Sequence, residues 1–184
     1  MNTIEQYDQA VSSCMDIFLK KTKDYGTSWR CLRIISITDQ IFIKAMRIRT
    51  LQEKKVQRVG DDVAGEFRGI VNYGIIGLIQ LGIGNSMVEE MNPADVQEQY
   101  TKSIALAKNT MLDKNHDYGE AWRDMSQESF VDLIITKLSR IKQILANDGK
   151  TLISEGIDAN FTDIINYAIF ALILMGEGKS GHAV

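Results

Sequence analysis

The sequence predicts an all-α fold, a helical bundle made of two tandem copies of a three-helix unit arranged as a pseudo-dimer. Three observations predict it. The signature Lys-x-x-Asp-Tyr-Gly-x-x-Trp-Arg occurs twice, at 21–30 and 114–123, and self-similarity at a fixed long period marks a repeated structural unit. Apolar residues recur at helical spacing in matched places of both halves, with no alternating strand pattern. The only proline, Pro93, falls between the halves.

An offset of 93 residues carries Tyr7 onto Tyr100, Lys21 onto Lys114, Trp29 onto Trp122, Asp39 onto Asp132, Lys44 onto Lys137, Arg47 onto Arg140 and Ile48 onto Ile141. After one inserted residue the offset is 94, and Asn72, Tyr73, Ile75, Leu78 and Gly82 meet Asn166, Tyr167, Ile169, Leu172 and Gly176. The repeat spans nearly the whole chain, which divides into copy one (1–84), a linker (85–93) and copy two (94–184). Asn92-Pro93 has the form of a helix cap followed by proline at the first helical position.

Each copy is expected to hold three helices. Gly26 and Gly119 end the first, because glycine takes the left-handed conformation that helix C-termini favour. The middle helix carries Ile34, Ile37, Ile41, Ala45 and Ile48, matched by Val131, Ile134, Leu138, Ile141 and Leu145. The third starts amphipathic and becomes apolar all round, as a central helix should. Small residues recur there, Gly74 with Ala168, Gly77 with Ala171 and Gly82 with Gly176, which predicts close helix approach at a pseudo-two-fold axis. The most apolar stretches, 75–83 and 164–175, fall below the roughly 20 residues that span a bilayer and are read as core helices.

Composition narrows the function classes. A net charge of −3 provides no bulk attraction to a nucleic acid duplex or an anionic membrane. Cys14 and Cys31 lack Cys-x-x-Cys spacing and form no ligand cluster with His116 or His182, so free thiols and no zinc are expected. The polar N-terminus shows no signal peptide, and a cytoplasmic location is expected.

The doubled signature is the first candidate site. Its glycine and aromatic residues are explicable as packing, whereas Lys21, Asp24 and Arg30, with Lys114, Asp117 and Arg123, are in excess of what packing needs. Read as a pocket, the basic groups meet phosphate or carboxylate oxygens, and Tyr25, Trp29, Tyr118 or Trp122 stacks on a base. Lys44 with Arg47, and Lys137 with Arg140, share one helix face and extend the anion-binding set, although a solvated basic face is the plain alternative. On the third helix of copy two, Glu155, Asp158, Asp163 and Asn166 project onto one polar face at 100° per residue. Asp163 and Asn166, like Asn72 in copy one, lie deep in apolar sequence, where a carboxylate needs a cation, a donor or a metal. Oxygen-rich carboxylate sites suit Mg²⁺ or Mn²⁺. Copy one departs here: Asp61 stands for Glu155, Gly69 replaces Asp163, and Glu66 matches Asn160. Any chemistry is therefore expected in copy two.

The order Lys-x-x-Asp-Tyr-Gly, then Lys-x-x-Arg on a helix, then Glu, Asp and Asn-Tyr on a third helix resembles the nucleotide-modification-associated domain 1 family, long a domain of unknown function. That family is in turn similar to the all-alpha nucleoside triphosphate pyrophosphatases of the MazG and dimeric dUTPase type. The resemblance implies carboxylates holding Mg²⁺ on a triphosphate, with water attack releasing pyrophosphate and a nucleoside monophosphate. Asn160-x-x-Asp163 and Glu66-x-x-Gly69 are each half of the expected Glu-x-x-Asp motif. On this reading Glu155, Asp158, Asp163 and Asp132 hold the metal, with Glu155 and Asp163 catalytic, and the signature residues, Lys44, Arg47, Lys137, Arg140, Asn72 and Asn166 bind a nucleotide or other phosphorylated small molecule. The pseudo-dimer is either self-sufficient or pairs again as a homodimer. The competing class is a non-catalytic scaffold or regulatory module, in which Asp24 pairs with Arg30 or Arg47 and Asp117 with Arg123 or Arg140.

Overall fold

The computed structural model describes residues 1–54, 62–88, 91–152 and 155–178. Among these residues the chain forms six α-helices and no strand. Helix α1 (Thr3–Tyr25) opens with a capping box: the Asn2 side chain accepts the Glu5 N–H at 2.9 Å, and the Glu5 carboxylate accepts the Asn2 N–H at 3.0 Å. It stops at Gly26, where φ is +69°. After a 3₁₀ turn at Ser28–Cys31 come α2 (Ile34–Lys54) and α3 (Val63–Ile83), the latter capped by Asp62. Copy two repeats the order. Helix α4 (Pro93–Tyr118) starts from Asn92, whose side chain accepts the Ala94 N–H, with Pro93 at its first position, and ends at Gly119 with φ of +62°. A second 3₁₀ turn (Ala121–Asp124) leads into α5 (Gln127–Ala146), and α6 (Ile157–Gly176) closes the fold. The tandem three-helix architecture expected from the repeat is thus present.

Helices α3 and α6 form the middle layer, flanked by α2 and α5 on one side and by α1 and α4 on the other. Two glycines bring the central pair together. A Cβ on Gly74 would lie 2.7 Å from Ile165 Cγ1, and one on Gly77 2.7 Å from Phe161 Cζ. Gly82 and Gly176, by contrast, would meet nothing within 4 Å, so close approach explains the first two pairs and not the third. Helix α6 is apolar and long enough by composition to cross a membrane, yet 72% of its most apolar window is enclosed by the bundle, as expected for a core helix.

Several residues read as ligands turn out to join the two copies. Tyr7 on α1 donates to Asn166 Oδ1 at 2.8 Å, and Tyr100 on α4 donates to Asn72 Oδ1 at 2.9 Å. Each asparagine also donates backward, Asn72 to the Cys14 carbonyl and Asn166 to the Ala107 carbonyl. Both are buried, and these bonds make Asn72 and Asn166 struts of the fold, with Asn72 also standing in the wall of a cavity in copy one. Burial pushes the Tyr7 and Tyr100 hydroxyls well above the ordinary phenol value and the Cys14 thiol up to about 12. Asp132, exposed on α5, faces the other copy. It pairs with Arg49 across the pseudo-axis at 3.6 Å, and its repeat partner Asp39 pairs with Lys142 at 2.7 Å. An offset of 93 carries Arg49 onto Lys142, so the two bridges are one contact made twice.

Candidate functional site

In copy two the signature closes on the protein itself. Trp122 lies flat against Phe170 on α6, with centroids 4.2 Å apart and planes 6° off parallel. Its indole N–H donates to Asn115 Oδ1 at 3.2 Å, and the Arg123 guanidinium stands 4.4 Å over its ring. Arg123 in turn reaches Glu120, Glu177, Thr3 and Gln6. The Asp163 carboxylate, 6% exposed, sits between Lys114 at 2.6 Å and Lys137 at 2.7 Å. Burial acts to lower the Lys114 ammonium, but the hydrogen bond and charge of Asp163, with Tyr167 and Glu155, hold it above the ordinary lysine value.

The same frame in copy one stands open. Ile76 occupies the place of Phe170, Thr22 that of Asn115 and Gly69 that of Asp163. Without the phenyl ring a cavity of about 450 Å³ remains, lined by Trp29, Phe18, Tyr25, Tyr73 and Ile76 on its apolar part and by Lys21, Lys44, Arg68, Asp62 and Glu66 on its polar part. That volume falls in the range of small-molecule sites. With Thr22 donating to the Phe18 carbonyl, the Trp29 indole N–H is left buried without an acceptor. Lys44 lies across Gly69, where a Cβ would be 2.8 Å from its Cε, and continues to Glu66 at 3.2 Å, where Arg47 also binds. Lys21 has no hydrogen bond or ion pair among the described residues.

The remaining predicted residues divide. Tyr25 is on the rim of this cavity, mostly exposed, and Asp24 is exposed beside it. Arg30 is drawn inward instead, donating to Gln80 and to the Gly84 carbonyl at 2.7 Å, while Gln80 holds the backbone carbonyls of Trp29, Arg30 and Leu32. It anchors the signature turn to α3. Tyr118 and Asp117 are exposed, with Asp117 touching His116 at 3.0 Å, and Arg140 is exposed on α5. Arg30 and Arg123 take partners other than Asp24 and Asp117.

The acidic face read for copy two does not assemble. Glu155 precedes α6, whose first residue is Ile157, and is exposed near Lys114 and Tyr167. Asp158 faces a different groove, with Lys102 and Gly82. Asn166 is engaged by Tyr7, and Asp132 by Arg49. Asp61 and His182 lie outside the described residues. Among the described residues no three His, Cys, Asp or Glu side chains are placed to hold a metal ion. The donor chemistry agrees: Asp163 and Glu66 each already face two cations, which leaves little negative charge to attract Mg²⁺.

Position-by-position difference between the copies was the signal that would have located the cavity. Ile76 against Phe170, Thr22 against Asn115 and Gly69 against Asp163 each remove a filling or bonding group from copy one. Fold and site together define a helical tandem-repeat protein with an open, cation-lined aromatic pocket in its first copy. Residues 21–81 and 114–175 match the family described as nucleotide modification associated domain 1. The two segments cover most of the chain and fall one on each copy, so the protein belongs to that family in tandem duplication. No curated protein and no solved structure matches it.

Proposed function

We propose that this is a cytoplasmic nucleotide-binding protein whose site is the copy-one cavity. The observation that supports it most is the pairing, within one cavity, of an unplugged tryptophan with an unpartnered lysine. Base–aromatic stacking contributes about 1–3 kcal/mol, and every base offers a π-face. The Trp29 ring, with Phe18 6.1 Å away and tilted by 45°, provides such a platform against Ile76. Lys21 and Lys44 are the groups for the phosphate, and Arg68 also lines the cavity. A charged hydrogen bond of this kind contributes about 1.5–3 kcal/mol. Family membership, with its link to nucleotide modification, supports the same ligand class.

The magnesium-dependent pyrophosphohydrolase reading moves to this cavity, where its carboxylates are Asp62 and Glu66. Asp62 caps α3 by accepting the Gly65 N–H at 2.5 Å, and Glu66 is held by Lys44 and Arg47. That donor set does not fit a resident metal, and binding carried by the cations without added metal is the expected behaviour. Isothermal titration with nucleoside mono- and triphosphates, with and without Mg²⁺ and paired with a pyrophosphate assay, tests both parts. Binding in the absence of Mg²⁺, weakened about tenfold or more by Lys21→Ala, is expected. No binding by any nucleotide contradicts the proposal, and Mg²⁺-dependent pyrophosphate release contradicts its metal-free part.

A further inference from the structure

We infer, resting on the copy-one reading, that copy two holds a second ligand pocket occupied by the protein's own side chains: Phe170 stands where a base would stack and Asp163 where a phosphate would be held. The pseudo-symmetry carries each group of one copy onto a group of the other. Trp122 corresponds to Trp29, Lys114 to Lys21 and Lys137 to Lys44. In copy two those three receive, respectively, a parallel aromatic ring at 4.2 Å and one carboxylate at 2.6 and 2.7 Å. An aromatic face and an anion on one helix, α6, are the two chemical parts of a nucleotide. In copy one the corresponding positions are Ile76 and Gly69, which supply neither.

The built-in pair therefore reports how the ligand of copy one lies. Its ring stacks flat on Trp29 over Ile76. Its anionic group comes down on Gly69, between Lys21 and Lys44, and draws the Lys44 ammonium from Glu66. Gly69 lets the flexible Lys44 stem lie across it, 2.8 Å from where a Cβ would be, and the anion takes that place as the stem swings aside. The unsatisfied Trp29 N–H fits the same picture. Copy two answers its counterpart with Asn115, while copy one leaves the donor buried with no acceptor.

Two reciprocal variants of the full chain test this by titration with the four ribonucleoside triphosphates. Asp163→Gly with Phe170→Ile gives copy two the copy-one residues at the two plugging positions, and the number of sites per chain is expected to rise from one to two. Gly69→Asp with Ile76→Phe builds the plug into an existing cavity, and binding to copy one is expected to weaken more than tenfold. Melting curves establish that each variant is folded. Since the second variant fills space rather than emptying it, it remains informative if the first fails to fold. A folded Asp163→Gly/Phe170→Ile chain that still binds one equivalent overturns the inference and leaves copy-one binding intact. A wild-type chain that binds nothing while this variant binds one equivalent supports the inference and overturns the copy-one reading. Failure of both to bind overturns both.

Discussion

In copy two, the indole of Trp122 lies against Phe170 and two lysines close on Asp163; in copy one, Trp29 faces a cavity and Lys21 has no partner among the described residues. Both sit on the same frame. The Tyr–Asn clasps repeat at 2.8 and 2.9 Å, and the bridges of Asp39 and Asp132 repeat in position, while Arg30 and Arg123 of the signature take different partners. The difference teaches that duplication preserved the scaffold while three substitutions, at the positions of Phe170, Asn115 and Asp163, decided which copy is filled. Matched residues thus report mostly architecture, and the unmatched ones report the site.

The contrast is broken most severely by removing the plug. Phe170→Ala empties a nearly buried ring from the stack and is expected to cost about 3–5 kcal/mol in denaturant unfolding. Ile76→Ala enlarges an already open cavity and should fall at the low end of the aliphatic range, about 2 kcal/mol. Equal losses would mean the two slots are packed alike.

The clasps should behave symmetrically. Tyr7→Phe and Tyr100→Phe each leave a buried asparagine oxygen without its donor, for a loss of about 1–3 kcal/mol of similar size in both. They also carry a pH signature. Tyr7, Tyr100 and Cys14 have raised pKa values in the fold and ordinary ones when unfolded, so their contribution is whole below the unfolded values, about 8.5 for the thiol and about 10 for the phenols. It is lost as pH rises through and beyond them. The denaturant midpoint should therefore fall from about pH 8.5 and more steeply above 10, with Tyr7→Phe flattening the upper part. A midpoint constant to pH 11 would contradict it.

Smaller effects separate the two lysines of the signature. Lys114→Ala leaves Asp163 with Lys137 alone and is expected to lower stability by about 1 kcal/mol with nucleotide binding unchanged. Lys21→Ala should change stability by less than about 0.5 kcal/mol, as surface substitutions do, and act on binding instead. The reverse pattern would place the ligand in copy two.

Much of the fold was legible because duplication gave every helix two readings. Asn92-Pro93, Gly26, Gly119 and the close approach at Gly74 and Gly77 all follow from local chemistry and are found as expected. The site was less legible. Asn72 and Asn166 looked like ligands because they are polar, matched and deep in apolar helices, but the same traits suit a buried strut; Tyr7 and Tyr100, matched at the same offset, were the clue to their partners. Asp163 drew the chemistry to copy two because a buried carboxylate demands compensation, and sequence could not tell that Lys114 and Lys137 supply it. The 100° projection placed Glu155 on a helix that begins only at Ile157. Asp132 faced the other copy, which helical spacing within one copy cannot reveal.

Copy one holds the open cavity, and the chain's two tryptophans, one in each copy, make binding there directly measurable. A Trp122→Phe chain leaves Trp29 as the sole reporter, and a Trp29→Phe chain leaves Trp122. Titrated with nucleoside triphosphates, the Trp29 emission is expected to change saturably while that of Trp122 stays constant. A saturable change at Trp122 with none at Trp29 would contradict the account.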